Sequence, residues 1–297
     1  MPFLSLFISL MITAIWGLNF VVIKYCLVET KPLTLCVLRF FLSSVPFIFF
    51  AKRPKTPFWL LGLYGIVMFV IQFGLLFLGL YLGMPAGLAS LLLQIQVFFS
   101  LFIGIFVFQE KIRLWNVVGC LISFIGIGIV IAHLDSSISI KGLLPIIGTA
   151  ACASLGNLIT KKMGNINSIS LVAWGSFIAW PLLLLLCLLI DGPEILLHTL
   201  FDLEIDFWIG VGYITYLSTI VAYGAWSWLV ANNPLKAVTP FTLLTPIFAL
   251  IGGALFLEES LPPWKLLATI FVLSGLAINL FGNYVFRSPP PVRLKFD

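Results

Sequence analysis

The run FLSLFISLMITAIWGLNFVVIKYCL, residues 3–27, holds no charge before Lys24. It is longer than the ~7–15 apolar residues at the centre of a cleaved leader, and no Lys or Arg precedes it, so a retained first membrane span is expected. Nine more runs follow, and the full set lies at about 3–27, 32–50, 58–80, 85–107, 114–132, 142–160, 169–190, 205–230, 236–257 and 263–286. Prolines at 32, 57, 85, 193, 234 and 263 punctuate their ends, where a missing N–H costs least. No period-2 alternation recurs, and an open sheet edge would leave its backbone unsatisfied in hydrocarbon.

Composition points the same way. Of 297 residues 61% are hydrophobic and 9% charged, and mean hydropathy is +1.17. Water-soluble domains carry roughly 25% charged residues, so most of this surface must face lipid. The net charge of +5 is spread over the ends of apolar runs, without the basic patch that nucleic acid requires. The five cysteines lack CxxC spacing, which argues against a zinc site or disulfide framework and for small buried hydrophobes. No cofactor or metal is expected.

If both termini share one side, that side receives Lys52, Arg53, Lys55, Lys111, Arg113, Lys161, Lys162, Lys236, Arg287, Arg293 and Lys295, and the other only Lys24, Lys31, Lys141 and Lys265. Eleven basic residues against four place both termini in the cytoplasm under the positive-inside rule. The acidic stretch near 191–206 reads as a solvated external loop.

The chain also matches itself. A shift of 149 carries Phe58-Trp59 onto Phe207-Trp208, Tyr64 onto Tyr213, Gly104 onto Gly253, Glu110 onto Glu259, Trp115 onto Trp264 and Gly126 onto Gly275. Smaller shifts carry Asn19 and Lys24 onto Asn157 and Lys162 (138), and Pro46 onto Pro181 (135). A repeat of five spans is odd, so the second copy must enter the membrane from the opposite side. The predicted fold is an all-α membrane protein, ten transmembrane helices as two inverted five-helix repeats around a central cavity. The repeats are predicted over residues 3–132 and 142–286, with 287–297 as a cytoplasmic tail.

Several motifs resemble one family. Trp16-Gly17-Leu18-Asn19-Phe20-Val21-Val22-Ile23-Lys24, Leu38-Arg39-Phe40, Gly83-Met84-Pro85-Ala86-Gly87-Leu88-Ala89-Ser90, and the endings Phe108-Gln109-Glu110 and Leu257-Glu258-Glu259 are similar to EamA-type members of the drug/metabolite transporter superfamily. Within it, the chain resembles bacterial exporters of cysteine, O-acetylserine and related amino-acid metabolites. The resemblance implies a cavity lined mainly by spans 1, 3, 4, 6, 8 and 9. It also implies export of small zwitterions across the bacterial inner membrane by alternating access, without enzymatic activity.

Polar residues inside a span are functional candidates, or else interhelical glue. Asn19 and Asn157 occupy equivalent places and offer donors and an acceptor without a charge; Ser154 shares the face of Asn157. Gln94 and Gln96 lie about 200° apart on an ideal helix, so only one should face the cavity, and Gln94 is chosen. Tyr216 and Tyr223 are expected on one wall, with Thr245 beside the prolines of the ninth span. These seven form the predicted substrate site. Lys24, Arg39 and Lys162 are candidates for a gate or a carboxylate contact. The lysines are otherwise read as interfacial anchors and Arg39, in an outer helix, as a partner of carbonyls or headgroups. Glu110 and Glu259 read as helix caps.

No Asp or Glu falls inside a span, and the first-helix glutamate of the superfamily's small multidrug exporters is missing. Both facts weigh against cationic drugs and for neutral or zwitterionic cargo. The alternative is export of another small solute or drug. A channel would show a filter loop or charged ring; for an enzyme, His133 and His198 lie in external loops without a paired base. The expected partners are a small-molecule substrate and the lipid bilayer, with no nucleic acid; a homodimer stays open.

Overall fold

The computed structural model describes residues 2–108, 114–133, 140–164 and 166–285. Among them it is all helical. Nine helices are long and apolar enough to cross a membrane: α1 (Phe3–Glu29), α3 (Phe58–Tyr81), α4 (Ala86–Phe106), α5 (Leu114–Ile131), α6 (Ile140–Met163), α7 (Ser168–Ile190), α8 (Ile205–Asn232), α9 (Thr239–Phe256) and α10, which runs Pro263–Val285. One more apolar helix, α2 (Pro32–Ile48), has 17 residues, at the lower limit of what spans ~30 Å of hydrocarbon. A short helix, Pro193–Phe201, occupies the stretch predicted as an external loop and carries His198. Proline at its first turn and a glycine before it (Gly192, φ 90°) start it sharply. Further large apolar side chains point outward along the helices, Leu121, Phe124, Leu185, Leu189 and Ile270 among them, as a lipid-facing surface requires. The chain is therefore a multi-pass membrane protein.

Two helix pairs pack closely and antiparallel: α2 with α7, and α5 with α10. Between α5 and α10 the backbones meet at small residues. A Cβ added at Gly119 would strike the Gly275 carbonyl, and one at Gly126 the Ala268 carbonyl. Midway, the Ser123 hydroxyl donates to the Val272 carbonyl at 3.1 Å. At the two ends Gly282 fits against Trp115, and His133 stacks on Trp264 with ring centroids 4.4 Å apart. Between α2 and α7, Thr34 donates to Asp191 Oδ2 from both its N–H (3.1 Å) and its hydroxyl (3.0 Å). Ser43 donates to Ser176 at 3.3 Å.

The central helices are not regular. α3 widens to a π-helix over Ile66–Ile71, and α8 over Tyr213–Val221. α4 breaks at Gln94 and Ile95, where N–H groups reach back three residues to Leu91 and Leu92. α9 begins with a 3₁₀ turn over Thr239–Leu244, with proline at its start. Such segments loosen the backbone ladder, and in a bilayer they survive where protein or a wet cavity satisfies the freed groups.

Candidate functional site

Around these irregular segments lies a cavity of about 520 Å³. Its wall includes Trp16 and Asn19 of α1, Arg39 of α2, Tyr64, Met68 and Gln72 of α3, and Ser90, Gln94 and Gln96 of α4. Asn157 and Thr160 come from α6, Ser168 and Leu171 from α7, Ser218, Tyr223 and Trp226 from α8, and Thr242 and Thr245 from α9. Helices α2 and α7, absent from the six expected to line it, thus contribute as well. The cavity reaches the side holding the α6–α7 and α8–α9 turns, through Thr160, Ser168 and Thr242.

Gln94 and Gln96 both line the cavity, against the expectation that only one could. The break at Gln94 removes the ideal 100° step that separated them. The same argument corrects the tyrosines. Tyr223 lies on the wall, but Tyr216 is 39% exposed and faces Phe47, ring centroids 6.4 Å apart. The π-helix between them holds more residues per turn, so the i, i+7 face is lost. Ser154 hydrogen-bonds Ser100 at 3.0 Å and lines a smaller recess of about 230 Å³ between α4 and α6, which it shares with Asn157. Lys162 is exposed. Glu110 lies outside the described residues.

The π segment of α8 explains two contacts. A π turn leaves carbonyls short of their usual partners, and the indole N–H of Trp16 donates to the Ser218 carbonyl at 3.2 Å. Trp16 then sits against Tyr223 (5.4 Å) and Trp226 (5.3 Å), an aromatic corner of the cavity. The Tyr213 hydroxyl donates to the Ile15 carbonyl at 2.9 Å, tying α8 to α1.

Arg39 does not reach headgroups. It is 2% exposed, with its guanidinium carbon 4.4 Å from the centre of the Phe73 ring. Its Nη2 donates to the Thr219 hydroxyl at 2.9 Å, and that hydroxyl in turn donates to the Ile214 carbonyl at 2.8 Å.

On the side away from the α6–α7 turn the cavity is shut. Gly83, with φ 96°, ends α3 in a left-handed turn where the Met84 N–H returns to the Gly79 carbonyl at 3.1 Å. That turn aims the first N–H groups of α4 at Glu259. Glu259 Oε1 accepts from the Ala86 N–H at 2.7 Å and from Lys24 Nζ at 2.8 Å. Oε2 lies 3.5 Å from the Gly87 nitrogen. Glu259 is presented by Glu258, a non-glycine residue at φ 53°, which turns the chain so that the Glu259 N–H returns to the Gly253 carbonyl at 3.0 Å. The carboxylate does cap a helix, but that helix is α4, not the one following in the chain. Lys24 is therefore an ion-pair partner and not a free interfacial anchor. Proximity in sequence carried no sign of either fact.

Among the described residues no group of His, Cys, Asp and Glu could hold a metal. The five cysteines are free.

An all-helical membrane chain with broken helices around a closed-ended polar cavity has the form of a transporter. The chain belongs to the EamA-like transporter family, whose model matches residues 3–132 and 140–281. It is 36% identical over 288 residues to a "Probable amino-acid metabolite efflux pump" of Salmonella typhimurium, covering 95% of this chain and 96% of that one. It is 34% identical to the protein of the same description in Escherichia coli, over 93% and 94% of the two chains. Among the solved structures it resembles is a crystal structure matched with TM-score 0.65, covering 92% of this chain and 95% of the other, at 14% identity; that likeness shows the fold alone.

Proposed function

We propose that this protein exports small amino acids or amino-acid metabolites, zwitterions of the cysteine or O-acetylserine kind, by alternating access across a bacterial inner membrane. The observation that carries this is the central cavity, walled by polar side chains from both halves of the chain and shut at one end only. Amino-acid cargo draws support from the Salmonella and Escherichia relatives, described as probable amino-acid metabolite efflux pumps over nearly their full length.

The inverted architecture, with α2 as the tenth span, draws support from positions related by the shift of 149. That shift maps Gly119 and Gly275 onto Ala268 and Gly126, so the two close approaches of α5 and α10 exchange with each other. It maps Ser123 onto Val272, its own partner, as a two-fold axis through that contact requires. It maps Trp115 and Gly282 onto Trp264 and His133, again a contact onto a contact. The π segment 66–71 maps inside 213–221, and the break at Gln94 inside the 3₁₀ turn of α9. Both halves thus loosen the same helices where they face the cavity.

With the termini cytoplasmic, the cavity as seen reaches the cytoplasm and the Lys24–Glu259 side is the closed exterior. Rocking one half against the other would close the first and open the second. Uptake of radiolabelled amino acids, O-acetylserine and organic cations into proteoliposomes, with and without a pH gradient, tests the reading. Flux of small zwitterions is expected, and preferential flux of organic cations would overturn the cargo.

A further inference from the structure

The cavity holds a cation without a counter-ion. Arg39 is buried, and among the described residues no carboxylate lies within ion-pair distance of it. Its Nε and Nη1 are also buried and have no hydrogen-bond partner. A guanidinium carries five N–H groups in one plane, and here a single side chain, Thr219, accepts from it. An arginine serving only to join helices would spend its donors on neighbouring carbonyls, because each unpaired N–H at this depth is costly.

What surrounds the group holds it in place and leaves it unneutralised. Phe73 offers its ring face at 4.4 Å, with Phe40 and Phe77 at 5.7 and 5.9 Å. Ring faces attract a cation but accept no directional hydrogen bond of ordinary strength. Thr219, held by its own bond to Ile214, fixes one corner of the plane. Nη2 has two N–H groups and Thr219 takes one. Whichever it takes, the other stands beside an unpaired Nε or Nη1, so one complete edge of the fork is free for a bidentate partner.

The rest of the wall offers the opposite chemistry. Asn19, Gln72 and Ser90 are buried at 6, 6 and 2% exposure and line the same cavity. The Asn19 Oδ1, Gln72 Oε1 and Ser90 Oγ atoms have no partner. Unpaired acceptors and an unpaired cation in one enclosure are complementary to a molecule with an ammonium and a carboxylate.

Resting on the cavity as the translocation site, we infer that Arg39 is the carboxylate anchor for the cargo, and that Asn19, Gln72 and Ser90 receive its ammonium group. The transported class is then α-amino acids with a free carboxylate. Their amides, esters and decarboxylated amines are poor cargo.

The test uses the full-length protein in proteoliposomes, with counterflow of radiolabelled cysteine, serine and O-acetylserine. Serinamide, serine methyl ester and cysteamine compete. Each acid is expected to compete at least about tenfold better than its carboxylate-free partner, the scale of a hydrogen-bonded charge pair. Arg39→Gln is expected to abolish that preference, and Arg39→Lys to keep part of it, having the charge without the fork. Competition by serinamide equal to that of serine in the wild-type protein would overturn the anchor and leave the exporter reading intact. That comparison needs no variant, so a failure of Arg39→Gln to fold does not shield the proposal. Retained preference in a folded Arg39→Gln would also overturn it. Flux of none of these acids would overturn the cargo reading as well.

Discussion

Lys24 Nζ and Glu259 Oε1 lie 2.8 Å apart, joining α1 to the turn that follows α9 across 235 positions of sequence. The pair is partly buried, 25% and 9% exposed. It stands where the cavity is shut, and its carboxylate also takes the first N–H of α4. Three helices are thereby fastened by one side chain.

The two roles of Glu259 separate by substitution. Glu259→Gln keeps an oxygen for the Ala86 N–H and loses the ion pair, while Glu259→Ala loses both. Thermal melts of the purified protein are expected to show Ala as the more damaging, by about 1 kcal/mol for the lost cap. Equal melts would remove the cap from the account.

Glu258 occupies a left-handed conformation that costs a side chain about 1 kcal/mol relative to glycine. Glu258→Gly is therefore expected to raise thermal stability slightly, offset in part by the freer unfolded chain. A marked loss of stability would mean that its side chain has a role beyond the turn.

Close approach at Gly119 predicts a position-specific effect. Gly119→Val is expected to destabilise strongly, because its branches would collide with the Gly275 backbone. Gly128 in the same helix has open space beside it, so Gly128→Ala should be neutral or stabilising by up to ~1 kcal/mol. The ratio of folded protein by size-exclusion after heating checks both.

Asn19 and Asn157 are equivalent in sequence but differ in setting: Asn19 is 6% exposed deep in the cavity, and Asn157 is exposed toward the open side. Alanine at either position is expected to slow transport, with the larger loss, about tenfold, at Asn19. Normal flux through both variants would remove them from the site.

Much of this was legible in advance, for reasons that differ by residue. Hydrocarbon demands long apolar runs, so the helices could be read from composition, and α2 through α10 begin within a few residues of the predicted limits. The proposed equivalence of Asn19 with Asn157, and of Tyr64 with Tyr213, rests on the chain compared with itself. What could not be read were departures from the ideal helix. The break at Gln94 brings Gln94 and Gln96 to one cavity, and the π segment turns Tyr216 away from Tyr223. Nor does a single arginine in an apolar run declare which side of its helix is wet; packing against α3 and α8 decides that for Arg39. Glu259 reached α4 through a backbone turn at Glu258 that residue type disfavours.

Alternating access through the two halves is the central claim, and one labelling experiment addresses it. Cysteine is placed at Gln94, on the cavity wall, in a variant lacking the five native cysteines. Sealed vesicles of known orientation are then treated with a membrane-impermeant maleimide from each side. The account expects labelling from the side of the termini when Lys24 and Glu259 are intact, and a shift to the opposite side when Lys24→Met and Glu259→Gln are combined. Labelling whose ratio between the two sides is the same in both backgrounds would contradict it.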